Sequence, residues 1–479
     1  MNSSTENSHS NRTVLLRSAI IVLCIFLGLA GVLAHKHFTA TNPAPEAQAS
    51  PTAPVVPVKL SAEEIFATIP TREGNSDTDK ALATFLEKLR KSPNDAFLWV
   101  HLGDALAQKM RDTSDEKYYD SAELAYQRGL DLKSDSIDAM TGLAWVNGGR
   151  HLFDRSVEWA NRALALDPEN AAANGISGDA ALELGDYEAA FDRYQKMMDS
   201  KPDLSSWSRG AYLLWLTGNP TKGTWLMQKA IESGAPFAEN TAWCRAKYAD
   251  MLYHNGAFLP AAQALVPALK AAPKNTQVLL SAGRIAAAQL DYAAAERYYQ
   301  TILESGPQHE ALVALGDLQM VKKDPVAAEK YYVQVEELYQ KHLNTANHSH
   351  LNVAKFYADH DRNLVEALRI TEQNKLTKNV ISADTLAWVY YKNGDQPRAI
   401  EAIKIALAQK TPDAEIHYHA AMIAARFGDK ASALNHLRIA VGLNPQFNVL
   451  GAPIAAATLQ KLSTGQNTAS LPETETRQP

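Results

Sequence analysis

The side chains that could do chemistry in this chain are few and scattered. His342, His348 and His350 cluster in one stretch, and His417 and His419 flank Tyr418. Imidazoles are the commonest zinc ligands, so both sets invite a metal reading. Residues two apart on a helix point to different faces, so neither set chelates a common ion from helical backbone. Solvated or capping histidines are the expectation, and no metal site is assigned. Only two cysteines occur, Cys24 and Cys244, too few for a disulfide or zinc framework. The chain contains no HExxH, GxSxG, strand-borne GxGxxG, P-loop or CxxC. The expectation is a protein without catalytic residues or cofactor. Forty-seven Lys plus Arg face 53 Asp plus Glu, for a net charge of -6, which supplies no basic field for a phosphate backbone. Nucleic acid is therefore not an expected partner. Hydrophobic residues at 46% and charged residues at 21% exclude wholesale disorder and a polytopic membrane protein.

The elements that must position any site are written in the prolines. Pro168, Pro202 and Pro236 stand 34 residues apart, and Pro273 and Pro307 keep the same interval. Upstream of the proline the same residue classes recur. Over 171–203, Gly178 is followed by Leu184-Gly185-Asp186-Tyr187, then Ala190, Tyr194, Met197 and Pro202. Over 276–308 the equivalents are Gly283, Asp291-Tyr292, Ala295, Tyr299, Ile302 and Pro307. Over 414–447 they are Ala421, Gly428-Asp429, Ala433, Leu437, Ala440 and Pro445.

This pattern resembles the tetratricopeptide repeat family, whose unit has this length, small residues at fixed places, a bulky one between them and a proline near its end. The resemblance covers about 96–447, with units starting near 96, 137, 171, 204, 242, 276, 309, 348, 380 and 414. It implies an all-α fold, a right-handed α-solenoid of helix-turn-helix units with a concave inner face. Small residues such as Gly103, Gly178, Gly283 and Gly316 are expected where helices approach closely, opposite Ala190, Ala295 and Ala328. The Gly-Asp pairs 185–186, 394–395 and 428–429 fall at the turn, where glycine takes a left-handed cap and aspartate starts the next helix. One unit cannot bury its own apolar face, so stability comes from stacking in series. A capping half-repeat is expected over 61–95 and a closing helix over 448–462.

In the family, the first helix of each unit faces the groove. By that resemblance the candidate groove is Asp104, Trp145, Asp179, Tyr212, Trp215, Trp243, Asp250, Tyr253, Asp317, Asp384, Trp388, Tyr391 and Tyr418. It reads aromatic and acidic, a combination suited to a peptide or protein segment carrying basic residues. Aromatics at helical spacing also serve as core packing, so both readings stand. The family's clamp for a terminal carboxylate is absent from the places where it belongs, which hold Thr141 and Trp145, Gly175 and Asp179, Ser208 and Tyr212, and Ala246 and Asp250. The leading expectation is a non-catalytic protein-protein interaction scaffold. The alternatives are a module binding an extracytoplasmic polysaccharide, with Trp and Tyr stacked on sugar rings, and an enzyme with an unrecognised site.

An address precedes the array. Residues 14–34 read VLLRSAIIVLCIFLGLAGVLA, long enough at about 1.5 Å per residue to cross a hydrocarbon core of about 30 Å. Arg12 and Arg17 outnumber Lys36 on the far flank, which keeps residues 1–13 cytoplasmic. Val32-Leu33-Ala34 offers a cleavage position, so the run is either a transmembrane anchor or a secretory signal. Both readings export the body to the periplasm or cell surface; cleavage would release it. Residues 35–60 are Pro/Ala-rich and read as a semi-rigid stalk, and 463–479 as a disordered tail.

Overall fold

A computed structural model describes residues 60–70, 74, 76–113, 115–234, 238–342, 350–374 and 377–464. The apolar run at 14–34, the flanking 1–13 segment, nearly all of the stalk, and residues 465–479 lie outside the described residues. Among the described residues no helix is long and apolar enough to cross a membrane.

Every regular element of the described residues is a helix. Ten antiparallel pairs follow one another. The first five are Ala96–Thr113 with Lys117–Leu132, Ile137–Gly149 with Phe153–Leu166, Ala171–Glu183 with Tyr187–Ser200, Leu204–Leu216 with Pro220–Ser233, and Ala238–His254 with Phe258–Ala271. The other five are Thr276–Ala288 with Tyr292–Leu303, His309–Val321 with Pro325–His342, Leu351–Asp359 with Leu364–Gln373, Val380–Lys392 with Gln396–Ala408, and Ala414–Arg426 with Lys430–Leu443. Asp77–Lys91 precedes them, and Gly451–Ser463 follows.

The repeated sequence marks act as local chemistry requires. Gly185, Gly394 and Gly428 have φ of 77°, 78° and 86°, the left-handed turn between the two helices of a pair. The aspartate after each caps the second helix: Asp186 Oδ1 accepts from the Ala189 amide at 3.1 Å, and Asp429 Oδ1 from Ser432 at 2.9 Å. Asp167 and Lys201, which precede Pro168 and Pro202, are extended with ψ of 94° and 87°, because the proline ring denies them the helical region and ends the helix. Ala190, Ala295, Ala328 and Ala433 are fully buried where neighbouring helices pack together.

Beyond nearest neighbours, the array winds back onto itself. Asn379 Nδ2 donates to the Leu182 carbonyl at 3.3 Å, Thr411 Oγ1 to Leu216, and Asn444 Nδ2 to Tyr253 at 2.9 Å, across 197, 195 and 191 residues. The turns of the third, fourth and fifth pairs thus dock on the loops entering the ninth and tenth pairs and leaving the tenth. Tyr187 Oη accepts from the Val380 amide at 2.8 Å, and Tyr253 Oη donates to the Phe447 carbonyl at 2.7 Å. Each bond satisfies a polar group that the docking would otherwise bury without a partner.

Candidate functional site

The inner face is built on a repeated contact. A missing Cβ at Gly103, Gly178 and Gly316 lets a tyrosine from the second helix of the same pair lie across the first. A Cβ there would stand 2.6, 2.5 and 2.2 Å from the rings of Tyr126, Tyr194 and Tyr332. The glycines therefore make room for tyrosine rings, whereas the sequence places alanines opposite them. Each phenol reaches the aspartate after the glycine: Tyr126 Oη donates to Asp104 at 2.9 Å, Tyr194 to Asp179 at 2.8 Å and Tyr332 to Asp317 at 2.8 Å.

A basic group from further along the array then neutralises several of these acids. Arg209 grips Asp179 through Nε and Nη2, both at 2.8 Å. His360 Nε2 lies 2.7 Å from Asp317, and His419 Nδ1 lies 3.0 Å from both oxygens of Asp384. Burial works against the charged imidazole of His419, but the Asp384 charge and hydrogen bonds overcome it and hold the histidine above its ordinary pKa. His360 is raised in the same way, burial being outweighed by Asp317. The acidity read from the sequence is thus largely balanced within the array.

First helices surround a cavity of about 1290 Å³, lined by Trp145, Asp179, Glu183, Tyr212, Trp243, Lys247 and Asp250, with Arg111 and Glu239 also on its wall. That exceeds the roughly 300–1,000 Å³ of a small-molecule pocket. A second cavity of about 370 Å³ is lined by Tyr253, Asp317, Lys355, Glu415 and Phe447 among others. Arg284 and Glu310 line both. The aromatic rings carry cations: the Arg111 guanidinium sits 5.1 Å over Trp145, and Lys247 Nζ 5.5 Å over Trp243. Burial, then the Asp179 charge, pushes the Glu183 carboxyl up to about 7. Burial raises Glu239 against the pull of Arg111, and its buried Oε2 has no hydrogen-bond partner among the described residues.

The sequence-derived candidates separate into three groups. Trp145, Asp179, Tyr212, Trp243 and Asp250 line the larger cavity, and Tyr253 and Asp317 the smaller. Asp104 is exposed and bonds Tyr126 and His101. Trp215, Asp384, Trp388, Tyr391 and Tyr418 are buried and line neither cavity, with 4% of Trp388 exposed between Tyr391 and His419 at ring separations of 4.8 and 4.2 Å. Glu183, Arg209, Glu239, Lys247 and Arg284 escaped the sequence reading. The signal for two of them was present: Glu183 and Lys247 lie one helical turn past Asp179 and Trp243, on the same face.

The pair His417 and His419 behaves as the helical spacing predicts. His417 Nδ1 lies 2.9 Å from His436 Nδ1, while His419 turns to Asp384. Burial, then His436, lowers His417 to about 4. Among the described residues no group of three or more His, Cys, Asp or Glu is placed to hold a metal ion; His348 lies outside them.

A family model described as tetratricopeptide repeat matches residues 141–204, 249–309, 280–341 and 385–446, in agreement with the helix pairs. A curated relative, the formate-dependent nitrite reductase complex bifunctional subunit NrfFG of Haemophilus influenzae, is 31% identical over 117 residues, 24% of this chain. The chain spans 28% of that relative's length. Among solved structures, the human IFIT1 dimer with m7Gppp-AAAA is similar over 69% of this chain and 76% of its own, at 16% identity and a TM-score of 0.48. A thermophilic repeat protein of Thermus thermophilus is similar over 42% of this chain and 98% of its own, at 18% identity and a TM-score of 0.35.

Proposed function

We propose that this chain, which belongs to the tetratricopeptide repeat proteins, is a non-catalytic protein-protein interaction scaffold, exported and membrane-tethered, that holds a segment of another protein in the cavity between its first helices. The observation carrying the reading is the larger cavity: about 1290 Å³, roomier than small molecules need, with Trp145, Tyr212 and Trp243 on its wall. Rigid aromatic surface beside charged groups is what anchors a polypeptide segment. Export rests on the apolar run at 14–34 and its Arg12 and Arg17 flank.

Photo-crosslinking from inside and outside the array tests this. A benzophenone side chain at Trp243, in the cavity, is expected to capture a protein partner from native membranes. The same group at Trp225, which is 53% exposed on a second helix, is expected to capture none. Crosslinks confined to Trp225 would sink the inner-face reading, and glycan recovered at Trp243 in place of protein would favour the polysaccharide alternative. Protease accessibility of the body in intact cells with a permeabilised outer layer checks export; protection there would refute it.

A further inference from the structure

One repeat departs from the Tyr-Asp pattern. In the pair Thr276–Ala288 with Tyr292–Leu303, Gly283 again makes room for a ring, since a Cβ there would stand 2.4 Å from Tyr299. The residue that follows is Arg284, whereas Gly103, Gly178 and Gly316 are each followed by aspartate. Tyr299 therefore has no carboxylate to meet, and its phenol has no hydrogen-bond partner among the described residues. Arg284 itself makes one long polar contact, Nη1 to Asp250 Oδ1 at 3.5 Å, lies 5.8 Å over the Tyr253 ring, and leaves 41% of its side chain open, where it lines both cavities. Arg209 shows what a satisfied guanidinium looks like in this array, with two bonds of 2.8 Å to one carboxylate.

A second cation stands beside the first. Lys247 lies one turn before Asp250 on the same helix, over Trp243, with no carboxylate partner among the described residues. Of the two cations, Asp250 contacts only Arg284, at 3.5 Å. The other acids nearby are engaged: Glu415 by Lys355 at 3.2 Å and Asn448 at 3.0 Å, Asp317 by Tyr332 and His360. Glu310 at the rim is exposed.

We propose that Lys247, Arg284 and Tyr299 form a subsite between the two cavities for an aspartate or glutamate side chain carried by the bound protein segment. The subsite rests on the reading that the cavity holds such a segment, and it supplies what that reading lacks, a preferred charge. A guanidinium cannot shed its proton, so a half-open arginine with unused donors calls for an anion. The unpaired acids Glu183 and Glu239 are both pushed by burial toward the neutral form, Glu183 up to about 7, and so call for less counter-charge. Burial likewise holds Lys247 below its ordinary pKa, with Asp250 pulling up and Arg284 pushing down, and an incoming carboxylate relieves it. The planar fork of Arg284 accepts a carboxylate bidentately, the phenol of Tyr299 adds a donor, and Lys247 adds charge.

Fluorescence anisotropy on the purified full-length chain with three labelled dodecapeptides tests this. The peptides share a leucine and alanine frame and carry four Glu, four Gln or four Lys. The Glu peptide is expected to bind about tenfold tighter than the Gln peptide, and Arg284→Gln to abolish that preference. Lys247→Gln and Tyr299→Phe, which keep the packing, are each expected to weaken the Glu peptide by about three- to tenfold while leaving the Gln peptide unchanged. Equal binding of all three peptides, or preference for Lys, would overturn the subsite and leave the cavity reading standing. Failure of every peptide to bind would overturn both. A polygalacturonate probe outcompeting the Glu peptide would overturn the assignment to a protein side chain.

Discussion

The docking of early turns on late loops makes a prediction with an internal control. Gly218 and Gly428 occupy the same left-handed turn in their respective pairs, with φ of 80° and 86°. A Cβ on Gly428 meets nothing within 4 Å, whereas on Gly218 it stands 2.8 Å from the Gln409 carbonyl oxygen and 3.0 Å from that of Lys410. Gly428→Ala therefore carries only the backbone penalty, about 1–2 kcal/mol. Gly218→Ala carries the same penalty plus a backbone clash. Forcing extra volume into a packed contact costs about 1–3 kcal/mol. Moving the loop also loses the Thr411 bond to Leu216, a further loss of about 0.5–1.5 kcal/mol. The difference between the two variants is then about 1.5–4.5 kcal/mol.

Urea denaturation followed by far-UV circular dichroism, with both variants beside the wild type, reads that difference. Small-angle scattering in the absence of denaturant reads its shape: Gly218→Ala is expected to enlarge the body and Gly428→Ala to leave it unchanged. Equal midpoints and equal radii for the two alanine variants would refute the docking.

The remaining predictions follow from the inner face. Gly178→Ala should cost about 2–4 kcal/mol by displacing Tyr194 from Asp179; if Tyr194→Leu added to it is not better tolerated than the single losses imply, the ring does not fill the glycine's space. Trp388→Ala should cost about 3–5 kcal/mol as a core truncation, and Trp243→Ala under about 1 kcal/mol as a cavity-wall change; similar melting shifts would put both in one environment. His419 is raised in the fold, so its pairing with Asp384 stabilises fully below about pH 6.5 and is lost as pH rises through the folded value. Denaturation midpoints should fall as pH rises above about 6.5, and the double variant Asp384→Asn, His419→Gln should lessen that fall. His417 has the opposite sign: lowered to about 4, it favours the neutral ring, and its stabilisation fades as pH drops from about 6.5 toward that value. His417→Leu should flatten this acid limb, and an unchanged limb would place the titration elsewhere.

What could be read from the sequence was local. The helix pairs follow from marks acting within a few residues: a proline ending one helix, a glycine turning, an aspartate starting the next. Pro168 constrains Asp167, and Asp186 caps Ala189, whatever the rest of the chain does. The first helices face inward for the same reason, which is why Trp145, Asp179, Tyr212, Trp243 and Asp250 came out on the cavity wall. The winding was not legible. Whether Leu182 meets Asn379 depends on a small rotation per pair accumulated over almost 200 residues, and no single residue announces it.

That hidden geometry also decides the chemistry of the face. Trp215 and Trp388 carry the same residue type, on first helices, as Trp243, yet they are buried while Trp243 lines a cavity. The charge pattern changes with it. Read unit by unit, Asp179, Asp317 and Asp384 look like free acids awaiting a basic ligand. Their neutralisers Arg209, His360 and His419 come from further along the array, between 30 and 43 residues on. Once those pairs are formed, Arg284, Lys247 and Tyr299 are left over beside two acids, Glu183 and Glu239, that burial pushes toward the neutral form, so the face that the sequence presents as acidic retains its unmet demand for charge in the opposite sign. A ligand chosen from the sequence would be basic. One chosen from the folded array carries a carboxylate, because an acid already held by arginine has little left to offer, whereas a half-open arginine still has donors to fill.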